Sequence, residues 1–338
     1  MTDAALILSA REISRLLTIR ECIDAIARTM CAHEAGRSRG PVSSGFPLPN
    51  GSVHAKMAAV EQNGRTFVAV KANINLPGNT ARRGRPTIQG ALILLDGDDG
   101  RPLAMMDSIA LTSIRTAAVT ALAATHLAVP DAQTITVVGC GELGEAELRA
   151  LSQVRSLRRG FVLDVDADKA AAFARRMSAE LSRPIQAVTD LDAAVAESDI
   201  CVTCTTSERP LVFASQLHPG VFIAAVGADN PAKQEVDAEA LVRSRVVVDS
   251  LAACAAGGDL HHALLAETMT EQDVHGELSA IVAGRLAGRT TRDEIFVFDS
   301  TGTALQDVAA AVLVFERAAT EGAGLRVVLD DRDVRRTA

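Results

Sequence analysis

Residues Val137 to Gly144 read Val-Val-Gly-Cys-Gly-Glu-Leu-Gly, and no other stretch constrains the fold as strongly. The β-branched run Thr134–Val138 precedes it, and a helical pattern through Leu151 follows it. A strand, a glycine turn and a helix in that order make a dinucleotide-binding unit. Gly139 permits the tight turn, Gly141 lets backbone approach a pyrophosphate, and Gly144 lets the helix pack on the strand. The phosphates would meet unpaired N–H groups at the helix start, so Glu142 and Leu143 join the glycines as cofactor candidates. An ordinary strand-to-helix turn would lack the second half seen here: Phe161–Leu163 reads as a short strand ending at Asp164, where a carboxylate can accept hydrogen bonds from an adenosine ribose. The same carboxylate would repel a 2′-phosphate, and Val165 beside it offers no guanidinium. The preferred cofactor is therefore NAD(H), with NADP(H) as the alternative.

From Thr134 onward the pattern alternates strand and helix: Thr134–Val138, Gly144–Val154, Phe161–Leu163, Asp168–Leu181, Ile185–Val188, Leu191–Glu197, Ile200–Thr205, Val221–Val226, Asp237–Ser244 and Val246–Asp249. Such alternation predicts an α/β fold, a parallel sheet with helices on both faces. Glu294–Phe298 reads as one more strand and Gly302–Ala319 as a return helix. Before the nucleotide unit the pattern differs. Capping boxes start at Ser9 and Thr18. Short β-like runs at Val53–Ala59 and Thr66–Ala72 are punctuated by Gly, Pro and Asn, and Ala91–Leu95 with Pro102–Met106 reads as a hairpin. Thr112 is placed to cap a long helix, Ser113 to about Ala128. The expected organisation is a Rossmann domain, 129–302, inserted in a discontinuous α+β domain, 1–128 plus 303–338.

With no Trp or Tyr and nine Phe, the core must be aliphatic. A net charge of −8 disfavours a nucleic-acid surface. No basic-then-apolar leader is expected at Met1–Ala5, and no apolar run of membrane-spanning length, so the expected compartment is the cytoplasm. The six cysteines lack a framework spacing. Cys201 and Cys204 form a CxxC within a buried-strand pattern, so no metal site is expected.

Residues at the carboxyl ends of strands can reach a ligand in an open α/β sheet. Lys71 closes the run Thr66–Lys71, although it could be a solvated strand-end lysine. Asp229 follows Val221–Val226 in Gly227-Ala228-Asp229-Asn230-Pro231, although it could serve only an Asx-turn. Arg115, read in the first turn of the Thr112-capped helix, opposes the helix dipole, which suits it to an anionic partner. His261 and His262 have no partners at ligand spacing and read as capping or surface residues.

Together these segments resemble the ornithine cyclodeaminase and mu-crystallin family. The resemblance rests on Lys71 with Asn73, Asn75, Pro77 and Asn79; Gly84-Arg85-Pro86-Thr87; Pro102-Leu103-Ala104 with Met106-Asp107; Leu111 through Ala118; Gly139-Cys140-Gly141; Gly227-Ala228-Asp229 with Pro231, Lys233 and Glu235; and Phe298 through Gly302. It implies a homodimer binding a small imino or amino acid and a nicotinamide coenzyme. It implies that Arg39 (or Arg37), Lys71 and Arg115 clamp a substrate carboxylate, and that Asp229, with Lys71, is catalytic. Thr87, Arg115, Thr116, Asp164, Thr203, Val226, Gly227, Lys233 and Ser300 fall where the family contacts its cofactor. The chain departs from the family's Met-Pro motif, reading Val53-His54-Ala55-Lys56-Met57-Ala58. In this it resembles the branch that reduces cyclic ketimines such as Δ1-pyrroline-2-carboxylate to L-proline. The alternatives are ornithine cyclodeaminase, an alanine-dehydrogenase-like enzyme, and a binding protein that retains coenzyme without turnover.

Overall fold

A computed structural model describes residues 4–329. The first strands are β1 (Ala4–Leu8), β2 (Ser38–Leu48), β3 (Gly51–Gln62), β4 (Arg65–Asn75), β5 (Ile88–Asp96) and β6 (Pro102–Asp107). Alternation of inward and outward residues on β3 to β5 makes these strands half-buried. Phe67, Ala69 and Lys71 on β4, Ala58 and Val60 on β3, and Leu92 and Leu94 on β5 all turn inward. The Gly- and Pro-rich segment after Gly36, which carries no strand signal, forms β2. It tolerates Pro41 and Pro47 because it lies at the sheet edge, pairing with β3 alone.

β6 passes directly into the helix Ser108–Leu127. Its cap is Asp107, whose Oδ1 accepts the N–H groups of Ile109 and Ala110 at 3.0 and 2.8 Å. This corrects the expected start at Ser113: Thr112 is helical, and Arg115 lies in the helix body rather than the first turn. The dipole argument for Arg115 therefore lapses. The helix is also long and apolar enough to cross a bilayer by length and composition, contrary to expectation. It is instead the packed core helix, with Leu111 and Ala117 through Ala121 fully buried.

The chain then builds β7 (Thr134–Val138), β8 (Arg159–Leu163), β9 (Ile185–Ala187), β10 (Ile200–Thr203), β11 (Glu208–Val212), β12 (Phe222–Ala225), β13 (Gln234–Val236), β14 (Arg245–Val248), β15 (Gly276–Glu277) and β16 (Phe296–Asp299). Eight of these form one parallel sheet in the order β15-β14-β16-β12-β10-β7-β8-β9, while β11 and β13 pair separately. The short pair β11–β13 and the two-residue β15 leave no trace in the hydrophobic pattern. The strand order reverses at β7, which opens a crevice at the carboxyl ends of β7 and β10.

The helix Ala304–Glu321 returns the chain to the first sheet, where β17 (Leu325–Val328) pairs antiparallel with β1. That sheet runs β17-β1-β6-β5-β4-β3-β2. The expected segment 303–338 is thus followed only to residue 329; residues 330–338 lie outside the described part, as do 1–3. The main aliphatic cluster, with Phe173, Phe222, Phe296 and Phe298 as its largest buried side chains, runs beneath both sheets, and a second, including Ile223, Val246 and Leu260, covers the other face of the parallel sheet.

Candidate active site

The glycine loop behaves as its sequence demands. Gly139 adopts φ +107°, and a Cβ on Gly144 would lie 2.2 Å from the Gly139 carbonyl oxygen. Gly141 has open space where a side chain would be, so backbone is exposed to a ligand. Gly139 and Gly141 line a cavity of about 420 Å³ with Val138, Leu163, Asp164, Lys169 and Thr205. Asp164 Oδ2 accepts the Cys140 N–H and the Lys169 ammonium, both at 2.8 Å. Burial pushes the Asp164 carboxyl up, but these bonds and the Lys169 charge outweigh it and hold the pKa below the ordinary carboxylate range. Behind the loops, buried Glu235 takes the Thr205 N–H at 2.6 Å, the Gly227 N–H at 2.8 Å and the Thr203 hydroxyl at 2.9 Å. One carboxylate thereby ties together the segments after β10 and β12.

A second cavity, about 600 Å³, lies between the sheets. On one side stand Ser43, His54 and Lys56 from β2 and β3. On the other are Asp229 after β12, Ser250 after β14, and Thr301 and Gly302 after β16. Asp229 is bonded to Lys233 at 2.8 Å, with its side chain 48% exposed. The surrounding walls push its pKa up, but the charges of Lys233 and Lys56 with their hydrogen bonding prevail, so the carboxyl sits below its ordinary value.

Immediately behind Gly302 is a buried cluster. Asp307, from the return helix, lies between Lys71 Nζ at 2.8 Å and Arg115 Nε at 2.9 Å, and Arg115 Nη1 also donates to Gln306 Oε1 at 2.7 Å. A Cβ on Gly302, at φ +77°, would lie 2.5 Å from Arg115 Nη1, so only glycine lets the cavity wall approach the guanidinium. Two cations share one carboxylate. Burial, with Arg115 and Lys56 nearby, draws the Lys71 ammonium down to about 7 despite the pull of Asp307.

The chain matches the model of the ornithine cyclodeaminase/mu-crystallin family over residues 3–322. It belongs to that family. It is 32% identical over 324 residues to a Delta(1)-pyrroline-2-carboxylate reductase of Bacillus cereus, covering 95% of this chain and 99% of the relative. Among solved structures it resembles the Thermococcus litoralis Delta(1)-pyrroline-2-carboxylate reductase in complex with NADH and L-proline, at 30% identity and a TM-score of 0.91, covering 95% of this chain and 100% of the other. It also resembles an archaeal alanine dehydrogenase dimer with bound NAD, at 31% identity and a TM-score of 0.91, covering 97% and 100% of the two chains.

In this family member the residues singled out in the sequence divide into groups. Lys71 and Arg115 meet at Asp307, and Asp229 faces the adjoining cavity. Arg39 does not join them. Its Nη1 donates to the Gly36 and Ser38 carbonyls, and both Arg39 and Arg37 line a separate surface depression at the far end of β2. A register shift between Arg39 and Val42 separates Arg39, opposite Ala59, from Ser43, opposite Lys56. Thr203 and Ser300 spend their hydroxyls on Glu235 and Asp249. Thr116 is buried in its helix, and Thr87, before β5, lines neither cavity. Val226 closes β12 beneath the loop that Gly227 and Lys233 shape, the Lys233 ammonium donating to the Gly227 carbonyl at 3.1 Å. Glu142 and Leu143 begin the helix after Gly141. His261 and His262 bond to the carbonyls of Ala255 and Lys233. Cys204 lies under the glycine loop, its thiol donating to the carbonyls of Val138 and Gly139.

Four residues carry weight that their sequence context only hinted at. Asp307 is a lone carboxylate in the apolar helix segment Leu305–Phe315, a pattern that demands a buried cationic partner. Lys56 occupies the inward register of β3 with Ala58 and Val60, a position from which a lysine enters the interior. Lys169 stands five residues after the Asp164 it holds, and Glu235, part of the family resemblance, reaches back eight residues to Gly227 and 30 to Thr205.

Proposed function

We propose that this protein reduces the C=N bond of a cyclic imino acid, with Δ1-pyrroline-2-carboxylate to L-proline as the leading case and NAD(H) as the preferred coenzyme. The observation that carries this reading is the inter-sheet cavity, where an ionised aspartate faces cations at the carboxyl ends of the parallel strands. The resident groups fit a dinucleotide: Gly141 offers bare backbone, and Asp164 a carboxylate at the ribose position. When bound, the coenzyme supplies hydride to the imine carbon. Lys71 and Arg115, with one carboxylate between them, present net positive charge through the Gly302 wall to the substrate carboxylate. Asp229 holds the positive imine nitrogen through its charge. The nitrogen needs one proton as the carbon gains hydride, and Asp229, on the cavity wall and open to solvent, is placed to relay it. Arg39 has no part in this scheme.

The two sheets are read as two domains, 1–128 with 303–338 for substrate and subunit contact and 129–302 for the coenzyme. The outer face of the first sheet supports a homodimer. Val42, Met57, Val70, Ile93, Met105, Ile7 and Leu325 stand in direct register across all seven strands, an apolar row with Leu325 66% and Val42 51% exposed. The archaeal alanine dehydrogenase with the same fold is a dimer. Free thiols at Cys22, Cys31, Cys140, Cys201, Cys204 and Cys254 suit the reducing cytoplasm.

The test is NADH consumption across cyclic and linear imino acids, with L-ornithine plus NAD+ and L-alanine plus NAD+ in parallel. Reduction of Δ1-pyrroline-2-carboxylate that Asp229→Asn lowers by about 100-fold or more, with NADH affinity retained, supports the scheme. Ammonia release from ornithine without added reductant would replace it with cyclodeamination. Coenzyme retention without turnover of any substrate would replace it with a binding role.

A further inference from the structure

We infer that Lys56 is the substrate-anion anchor of this chain, taking the place that family resemblance assigns to Arg39. The inference rests on the reductase reading for the identity of the anion, not for its existence. Lys56 and Lys71 are directly opposite on β3 and β4, both facing inward. Two like charges in that relation repel unless each has its own anion. Lys71 has Asp307. Lys56 turns the other way, into the inter-sheet cavity, where its ammonium donates to the carbonyls of Thr301 and Gly302 at 3.0 and 2.6 Å.

Those two bonds leave one of three N–H groups unspent. The three carboxylates whose charges act most strongly on Lys56 are already engaged. Asp307 is held by Lys71 and Arg115, Asp229 by Lys233 at 2.8 Å, and Asp249 by the Ser300 hydroxyl at 2.8 Å and the Gly302 N–H at 2.7 Å. Burial lowers the Lys56 pKa, with Arg115 adding to the effect, so the site gains when an anion arrives to hold the charge. A half-buried ammonium fixed by neutral carbonyls, with a free N–H at a cavity wall, is built to receive a carboxylate. The departure from the Met-Pro motif falls on this same segment, Lys56-Met57.

The test uses the full chain with saturating NADH and titrates pyrrole-2-carboxylate, a planar carboxylate of the proposed substrate's size, against its neutral amide. Lys56→Met is expected to weaken carboxylate binding by about 30-fold or more while amide and NADH affinities stay within about twofold, and Lys56→Arg to recover most of the loss. In turnover the Lys56→Met defect should lie in KM more than in kcat. Lys56→Met binding the carboxylate as the wild type does, or losing carboxylate and amide alike, overturns the inference. So does a wild type with no carboxylate affinity. Carboxylate binding that depends on Lys56, without NADH consumption on any imino acid, would uphold the anchor and sink the reductase reading.

Discussion

Asp259 and Asp299 are fully buried and face each other's charge behind the coenzyme loops. Asp259 Oδ1 accepts the N–H groups of Glu235 and Val236 at 2.7 and 2.8 Å, and Asp299 Oδ2 accepts that of Leu260 at 2.9 Å. The other oxygen of each has no partner, which a proton held between the two carboxyls would remedy. Burial first, and the Glu235 charge second, push Asp259 from 3.8 up to about 7. Between these values the folded protein keeps a proton that the unfolded chain releases, so stability must fall as pH rises through this window. At about 1.4 kcal/mol per pH unit, the full window is worth about 4 kcal/mol, and the step from pH 5 to pH 7, where the group is half titrated, about 2. Asp259→Asn removes the titrating proton while its amide oxygen keeps the two backbone bonds. Urea unfolding at pH 5, 6 and 7 should show the wild type losing about 2 kcal/mol relative to the variant across that range. A wild-type-to-variant difference that does not change with pH would refute the shared-proton account. Because Asp259 holds the backbone of Glu235, which in turn holds Gly227 and Thr205, NADH affinity should weaken over the same window in the wild type alone.

Three further outcomes are expected. Gly144→Ala drives a Cβ into the Gly139 carbonyl, and since backbone cannot yield as a side chain does, it should cost about 1–3 kcal/mol in urea unfolding and weaken NADH binding with it; unaltered stability and affinity would contradict the packing role. Asp164→Ala should shrink the preference for NADH over NADPH by about tenfold or more in kcat/KM, Lys169 then being free for a 2′-phosphate; an unchanged ratio would place coenzyme choice elsewhere. Ile93→Glu puts a charge at the middle of the apolar row and should convert the proposed dimer to monomer in sedimentation or light scattering, while a variant of wild-type mass would move the subunit contact to another face.

The nucleotide-binding half is legible in the sequence because its signals are local. A glycine turn between a β-branched strand and a helix needs no distant information, and helices there are bounded by side-chain caps such as Asp166 and Asp190. The substrate side is less legible for a physical reason. Its functional geometry depends on which residues face inward across strands distant in sequence, and on a helix from the other end of the chain. Asp307 meets Lys71 across 236 positions and Arg115 across 192. The start of the long helix is misread for a related reason: Ser108–Leu111 suits strand or helix, and the Asp107 cap overrides the candidate at Thr112. Arg39 fails as an anchor because the register of β2 carries it past the cavity, a shift that spacing alone cannot reveal.

That register also couples assembly to chemistry. On β3 and β4 the row Met57–Val70 faces out, where the proposed second subunit would pack, while the adjacent row Lys56–Lys71 faces in toward Asp307 and the cavity. A strand's side-chain period is two, so a one-residue slip would carry both lysines to the outer face and the apolar pair into the charged cluster. The slipped form would strand Asp307 without its lysine and expose ammonium groups where an apolar contact is needed. Each face therefore penalises the error that would spoil the other. Subunit pairing over the outer row would then stabilise the strands that hold the two lysines, and a variant that dissociates the dimer should lose substrate affinity as well as mass. The lysines hang from β3 and β4, whereas coenzyme affinity depends on the glycine loop of the parallel sheet, so Ile93→Glu should spare NADH binding while weakening the carboxylate site. Equal loss at both sites would argue that the second subunit supports the whole molecule rather than the strands beneath the cavity.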